Sequence, residues 1–215
     1  MQTPTLKRSK LTWRACATAT AGLLLCSSSF LNAQDIPLFN EDPSEWYTLG
    51  GDFGHTRYTP AAEITPENFT DLEVVWEWDG ASFGAISGRS TPSLINGKLI
   101  TVAGNKRYVV ALDPKSGETL WSYREPDTPR ASYSMRGDYG KGVGYANIDG
   151  KDIVYIVSPG FFLTALDADT GIPLEGFGNP VPIDGFPQTG IVDLLADLGH
   201  PYDPYEGIPL ETGYI

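Results

Sequence analysis

The sequence predicts an all-β protein: a β-propeller, of which this chain holds about two blades preceded by an N-terminal strand. Three observations predict it. Turn residues are dense, with 24 Gly and 17 Pro in 215 residues, and almost no stretch keeps a long helical period. Short strand-like runs alternate with tight turn signals. Two turns of different kinds then recur at one period. Asn96-Gly97-Lys98 returns as Asp149-Gly150-Lys151, a shift of 53, and Ala111-Leu112-Asp113 returns as Ala165-Leu166-Asp167, a shift of 54. Several strands inside a repeat of about 50 residues are the mark of a propeller blade.

The elements follow in order. Residues 46–70 are rich in turn signals, and Thr65-Pro66-Glu67-Asn68 is suited to one helical turn, with Thr65 as cap. From Leu72 to Trp78, Leu72, Val74, Trp76 and Trp78 share one side and Glu73 and Glu77 the other, which predicts a half-buried strand. Ser93 to Val102 reads as a hairpin, because Asn96-Gly97 is the strongest two-residue turn signal. Tyr108–Leu112 and Glu118–Tyr123 are strands joined by the turn Asp113–Gly117. The second unit repeats this with Val143–Asn147, Asp152–Ser158, Phe161–Leu166 and the turn Asp167–Gly171. The blade repeats thus lie near 91–124 and 143–178. Pro173, Pro180, Pro182 and Pro187 rule out central strands beyond, so 179–215 is expected to be a loop-rich insertion, with 188–198 a short helix or an edge segment. Two units cannot close a ring of four to eight blades. Residues 46–215 are therefore expected to be part of a longer propeller.

Residues 1–33 have the order of a secretory signal peptide. Lys7, Arg8, Lys10 and Arg14 precede an apolar run from Ala15 to Leu25, and Leu31-Asn32-Ala33 ends the segment. The run is too short to span a bilayer; left uncleaved, the segment would serve as a membrane anchor. The expectation is export to the periplasm, with 34–45 as a loose leader. Removal of residues 1–33 takes four of the 15 basic residues and none of the 27 acidic ones, leaving 11 against 27 and a net charge of −16. Such a surface repels nucleic acid. Cys16 and Cys26 also leave, so the mature chain has no thiol chemistry and no disulfide. With only His55 and His200, a His-rich metal site is excluded too. His55 in its Gly-rich turn reads as a satisfied loop histidine. Asp197, Asp203 and Glu206 match no calcium-loop spacing.

The sharpest motif is Ala111-Leu112-Asp113-x-x-Ser116-Gly117-x-x-x-Trp121. Asp113 is placed to accept backbone N–H bonds across the turn. Gly117 supplies a left-handed conformation. Trp121 then offers a large flat ring to bury between units. The second copy keeps the turn, with Phe177 near the place of the Trp. For Asp113 and Asp167 the structural role outweighs a catalytic one.

This motif resembles the tryptophan-docking motif of the quinoprotein dehydrogenases, which use pyrroloquinoline quinone (PQQ). Gly51-Asp-Phe-Gly-His-Thr-Arg-Tyr-Thr-Pro60 is similar to the stretch near their mature N-terminus, and Ile64 to Trp76 continues it. Ser90-Thr91-Pro92 to Gly97 and Gly140-Lys141-Gly142-Val143 to Ala146 also fit, so the resemblance runs over about residues 46 to 180. It looks closest to the glucose-dehydrogenase-like branch. It implies an eight-bladed quinoprotein propeller with PQQ and Ca2+ near its axis. It implies oxidation of a small-molecule sugar or alcohol, with electrons passed to a membrane quinone or a cytochrome.

What the resemblance implies about residues is limited. Lys141 stands where the family often has Arg, keeping the charge but losing the planar fork. Arg89 stands where the family often has Glu, reversing the sign. The family's adjacent-cysteine pair is absent. Lys141, Arg89 and Arg136 are the candidate cofactor-binding residues, because PQQ carries three carboxylates; the competing reading makes all three solvated loop cations. The catalytic carboxylate and the calcium ligands are expected beyond Ile215, so no catalytic or metal residue is assigned. The competing function is a non-enzymatic periplasmic propeller scaffold of the outer-membrane assembly type, which shares the blade motif.

Overall fold

The computed structural model describes residue 42 and residues 44–84, 90–134 and 142–196. They form two four-stranded antiparallel sheets, each with its strands in sequence order. The first holds β1 (Ser93–Ile95), β2 (Lys98–Ala103), β3 (Tyr108–Leu112) and β4 (Thr119–Tyr123). The second holds β5 (Gly144–Ile148), β6 (Lys151–Val157), β7 (Phe162–Asp167) and β8 (Ile191–Asp193). A short helix, α1 (Pro129–Tyr133), lies between them.

Local chemistry sets the turns. Asn96 and Gly97 have φ of 47° and 67°, and Asp149 and Gly150 have 53° and 80°. Paired positive φ values suit the tight hairpin between right-twisted strands. The second turn type is also repeated. The Asp113 carboxylate accepts from Lys115 N at 2.7 Å and Ser116 N at 3.1 Å. The Asp167 carboxylate accepts from Asp169 N at 2.9 Å and Thr170 N at 3.0 Å. Both aspartates thus satisfy backbone donors, as the turn motif requires.

In the first sheet β3 is buried on both faces. Val109 and Ala111 join Ile95, Ile100 and Val102 in a core shared with Val143, Val154, Ile156 and Leu166 of the second unit. Val110 and Leu112, one residue out of step, pack with Ala103 against Trp78 and Phe83. A strand apolar at every position suits a blade stacked between neighbours.

Three segments bear on the sequence expectation, and the first departs from it. Leu72–Trp78 is extended but has no strand partner among the described residues. Val74 and Val75 are 77% and 84% exposed, whereas Trp76 and Trp78 are packed. The Trp76 indole donates to Pro114 O at 3.1 Å and lies against Gly117. The Trp121 indole donates to Ala168 O at 3.2 Å and lies against Gly171. Trp76 thus meets the first aspartate turn as Trp121 meets the second. Second, β8 lies inside the loop-rich stretch as an edge strand, the second of the two alternatives expected for 188–198. After its aspartate turn the chain makes isolated bridges from Leu166 to Pro173 and from Gly178 to Ile191, and β8 pairs with β7. The intervening residues cover Phe162 and Ile191 with Val181 and Phe186. Third, Phe177 meets Tyr155 of its own sheet edge-on at 5.8 Å.

The leading segment closes onto both blades. Trp46 and Leu94 exchange backbone bonds of 2.8 and 2.9 Å on the free edge of β1. Tyr47 stacks on Tyr145 of β5 at 4.8 Å. Among the described residues no helix is long and apolar enough to cross a membrane.

Candidate functional site

Each sheet begins just after a motif that the sequence singles out, and the two beginnings touch. Gly142 has φ of 140°, and a Cβ there would lie 3.0 Å from the carbonyl oxygen of Thr91. The conformation and the close approach both call for glycine. Val143 is buried in the shared core. Ser90 is held by its Oγ, which accepts from Val102 N at 3.0 Å. Gly142-Val143 and Ser90-Thr91-Pro92 are thus brought together. Arg89, Arg136 and Lys141 themselves lie outside the described residues, as do Asp197, Asp203 and Glu206. In the sequence Arg89 comes two residues before Thr91 and Lys141 one residue before Gly142.

The loop that leaves β4 is tied to the second blade by buried charges. Glu125 is 4% exposed, and its carboxylate accepts from Gly160 N at 2.8 Å and from the Ser158 hydroxyl. Thr128 caps α1, its hydroxyl accepting from Ala131 N at 3.1 Å, with Pro129 at the first position. Arg130 then makes two bonds to the Asp193 carboxylate, at 2.9 and 3.2 Å, and lies over the Phe162 ring at 4.0 Å. Beside this lies a cleft of about 300 Å³ whose lining includes Asn105, Lys106, Glu125, Asp127, Ser132 and Pro159. Its cations are internally paired: Lys106 and Arg124 both reach Asp127, at 2.7 and 2.8 Å. Bonds from Lys106 and Arg124 lower the Asp127 pKa.

Burial raises the Glu125 pKa above its ordinary 4.5, outweighing the Ser158 and Gly160 bonds and the nearby Arg130 and Arg107 charges. Between the unfolded and the raised folded value, the folded chain keeps a proton that the unfolded chain has lost. Stability from this group is therefore full below the unfolded value and declines as pH rises towards the folded one. Glu125→Gln keeps an acceptor for Gly160 and cannot ionise. Its stability relative to wild type is expected to improve between about pH 4 and about pH 8, followed by urea denaturation at both ends. A constant difference across that range would contradict the assignment.

A family description, "PQQ: Glucose/ethanol/alcohol dehydrogenase, beta-propeller domain", matches residues 46–207. The chain belongs to this family. Quinoprotein relatives agree with it. The 1-butanol dehydrogenase (cytochrome c) of Thauera butanivorans is 37% identical over 127 residues, 59% of this chain and 18% of that protein. The dehydrogenase subunit of the quinone-linked alcohol dehydrogenase of Gluconobacter oxydans is 32% identical over 171 residues, 73% of this chain and 21% of that protein. The crystal structure of the quinohemoprotein alcohol dehydrogenase from Comamonas testosteroni superposes with a TM-score of 0.51 at 26% identity, over 60% of this chain and 18% of the other. The chain thus spans about a fifth of the length of these relatives.

No group of three or more His, Cys, Asp or Glu among the described residues is arranged to hold a metal ion. Sequence reasoning missed Glu125, Arg130 and Asp193. Thr128-Pro129 carries a readable helix-start signal, but nothing local marks a partner for Arg130 that lies 63 residues away.

Proposed function

We propose that the full-length protein is an exported, PQQ-dependent dehydrogenase oxidising the hydroxyl of a small alcohol, with electrons passed to a cytochrome or a membrane quinone. The observation that carries this reading is the contact of Gly142 with Thr91, which joins two of the motif segments, within a chain of the quinoprotein family. Relatives named for butanol and other alcohols favour an alcohol, and favour an enzyme over an assembly scaffold. The family description includes glucose, which keeps an aldose as the second substrate class. Arg89, Arg136 and Lys141 would hold the cofactor carboxylates. PQQ supplies a quinone that accepts hydride, and a calcium ion held by residues outside this chain would act as Lewis acid. Residues 1–33 would direct the protein to the periplasm.

Lys141→Ala in the full-length protein is expected to weaken PQQ binding by about 1.5–3 kcal/mol, through loss of one charge-assisted bond. Titration of the apoprotein by fluorescence checks it. An unchanged affinity would remove Lys141 from the site.

A further inference from the structure

The tip of the first hairpin is held from two sides. The Asn96 backbone N–H donates to the Glu45 carboxylate at 3.1 Å. The Asn96 side-chain amide donates to the Asp169 carboxylate at 3.2 Å, on the oxygen that also accepts from Lys98 Nζ at 2.7 Å. Asp169 lies in the second aspartate turn, next to the Ala168 carbonyl that receives the Trp121 indole. The Asn96 amide is therefore part of the seam between the two sheets.

The same amide sits in a chemically labile setting. Asn96 is the only asparagine in the chain followed by glycine. A glycine leaves the next backbone nitrogen free to approach the side-chain carbonyl carbon. Both residues are exposed, and a Cβ on Gly97 would meet nothing within 4 Å. An exposed two-residue tip opens locally without unfolding its sheet, which lets the two atoms meet. The product also fits the turn. The sister turn has aspartate at this place, and Asp149 and Gly150, at φ of 53° and 80°, match Asn96 and Gly97 at 47° and 67°. We propose that Asn96 is a site of spontaneous deamidation, which turns an inter-blade hydrogen-bond donor into a carboxylate facing Asp169. The Gly97 nitrogen bonds to Cγ of Asn96 and gives its proton to solvent, while the Cγ–Nδ2 bond breaks and ammonia leaves. Water then opens the cyclic imide to aspartate or isoaspartate. Water is consumed and ammonia released, with no change of oxidation state. The new carboxylate faces Asp169 with Glu45 close by, and like charges at that range repel even with Lys98 beside them.

The test ages folded full-length protein in mildly alkaline buffer and follows the tryptic peptide Ser90–Lys98 by mass spectrometry. A gain of about one mass unit at Asn96 is expected, about tenfold or more faster than at Asn105 or Asn147, which precede Lys106 and Ile148. Asn96→Gln, which would have to close a larger ring, is expected to show no gain at this position. Freshly made Asn96→Asp carries the product charge without ageing. Circular dichroism is expected to show it folded, and it is expected to melt about 1–3 °C below wild type at low ionic strength, with the difference closing in high salt. An Asn96 that stays unmodified in the aged protein, or reacts no faster than the other asparagines, would overturn the site. An Asn96→Asp protein that melts with wild type at low salt would overturn the inter-blade effect.

Discussion

Replacing Trp121 with alanine is expected to cost about 3–5 kcal/mol of folding stability in the full-length protein. The indole spans two blades: it leaves β4, packs against the shared core and donates to Ala168 O in the turn after β7. Its ring is partly buried, which places the loss towards the lower end of that range. Truncation leaves a cavity between the sheets and an unpaired carbonyl. Denaturant unfolding measures the loss, and a value under about 1 kcal/mol would mean that the blades are held by other contacts.

The same contact is tested from its other side by Gly171→Ala. Gly171 has φ of 70°, and a Cβ there would lie 2.4 Å from Cε3 of Trp121. The left-handed conformation costs a non-glycine residue about 1–2 kcal/mol. Moving the indole aside adds about 1–3 kcal/mol. A total loss of about 2–5 kcal/mol is expected by the same unfolding measurement. The double variant with Trp121→Ala should lose much less than the sum, because the added methyl then meets open space. Additive losses would show that the ring does not rest on this turn.

The elements legible in the sequence are those encoded within a few residues. Asn96-Gly97 and Asp149-Gly150 carry the positive φ values that their hairpins need. Asp113 and Asp167 bond the backbone two and three residues on, so their turns were readable from spacing alone. Trp76 was read only as a strand residue. Its docking partner, Pro114, is 38 residues away, and local alternation does not say which turn a ring will meet. The fourth strand of the second sheet was legible only as one of two alternatives for 188–198, for a related reason. The repeat predicts that it follows its turn directly, but the chain first covers Phe162 and Ile191 with Val181 and Phe186. Of the site, the glycine motif and its neighbour at Thr91 were readable as motifs, and their contact was not. The Arg130–Asp193 pair left no sequence signal, since its partners belong to different blades and share no period.

The most direct test of the central claim is dye-linked alcohol oxidation by the full-length protein, reconstituted with PQQ and calcium. Reduction of an artificial acceptor by a short-chain alcohol, absent without PQQ and lost on chelation of calcium, is the predicted result. A folded full-length protein that binds PQQ but oxidises neither alcohols nor aldoses, or that shows no PQQ binding at all, would contradict the account.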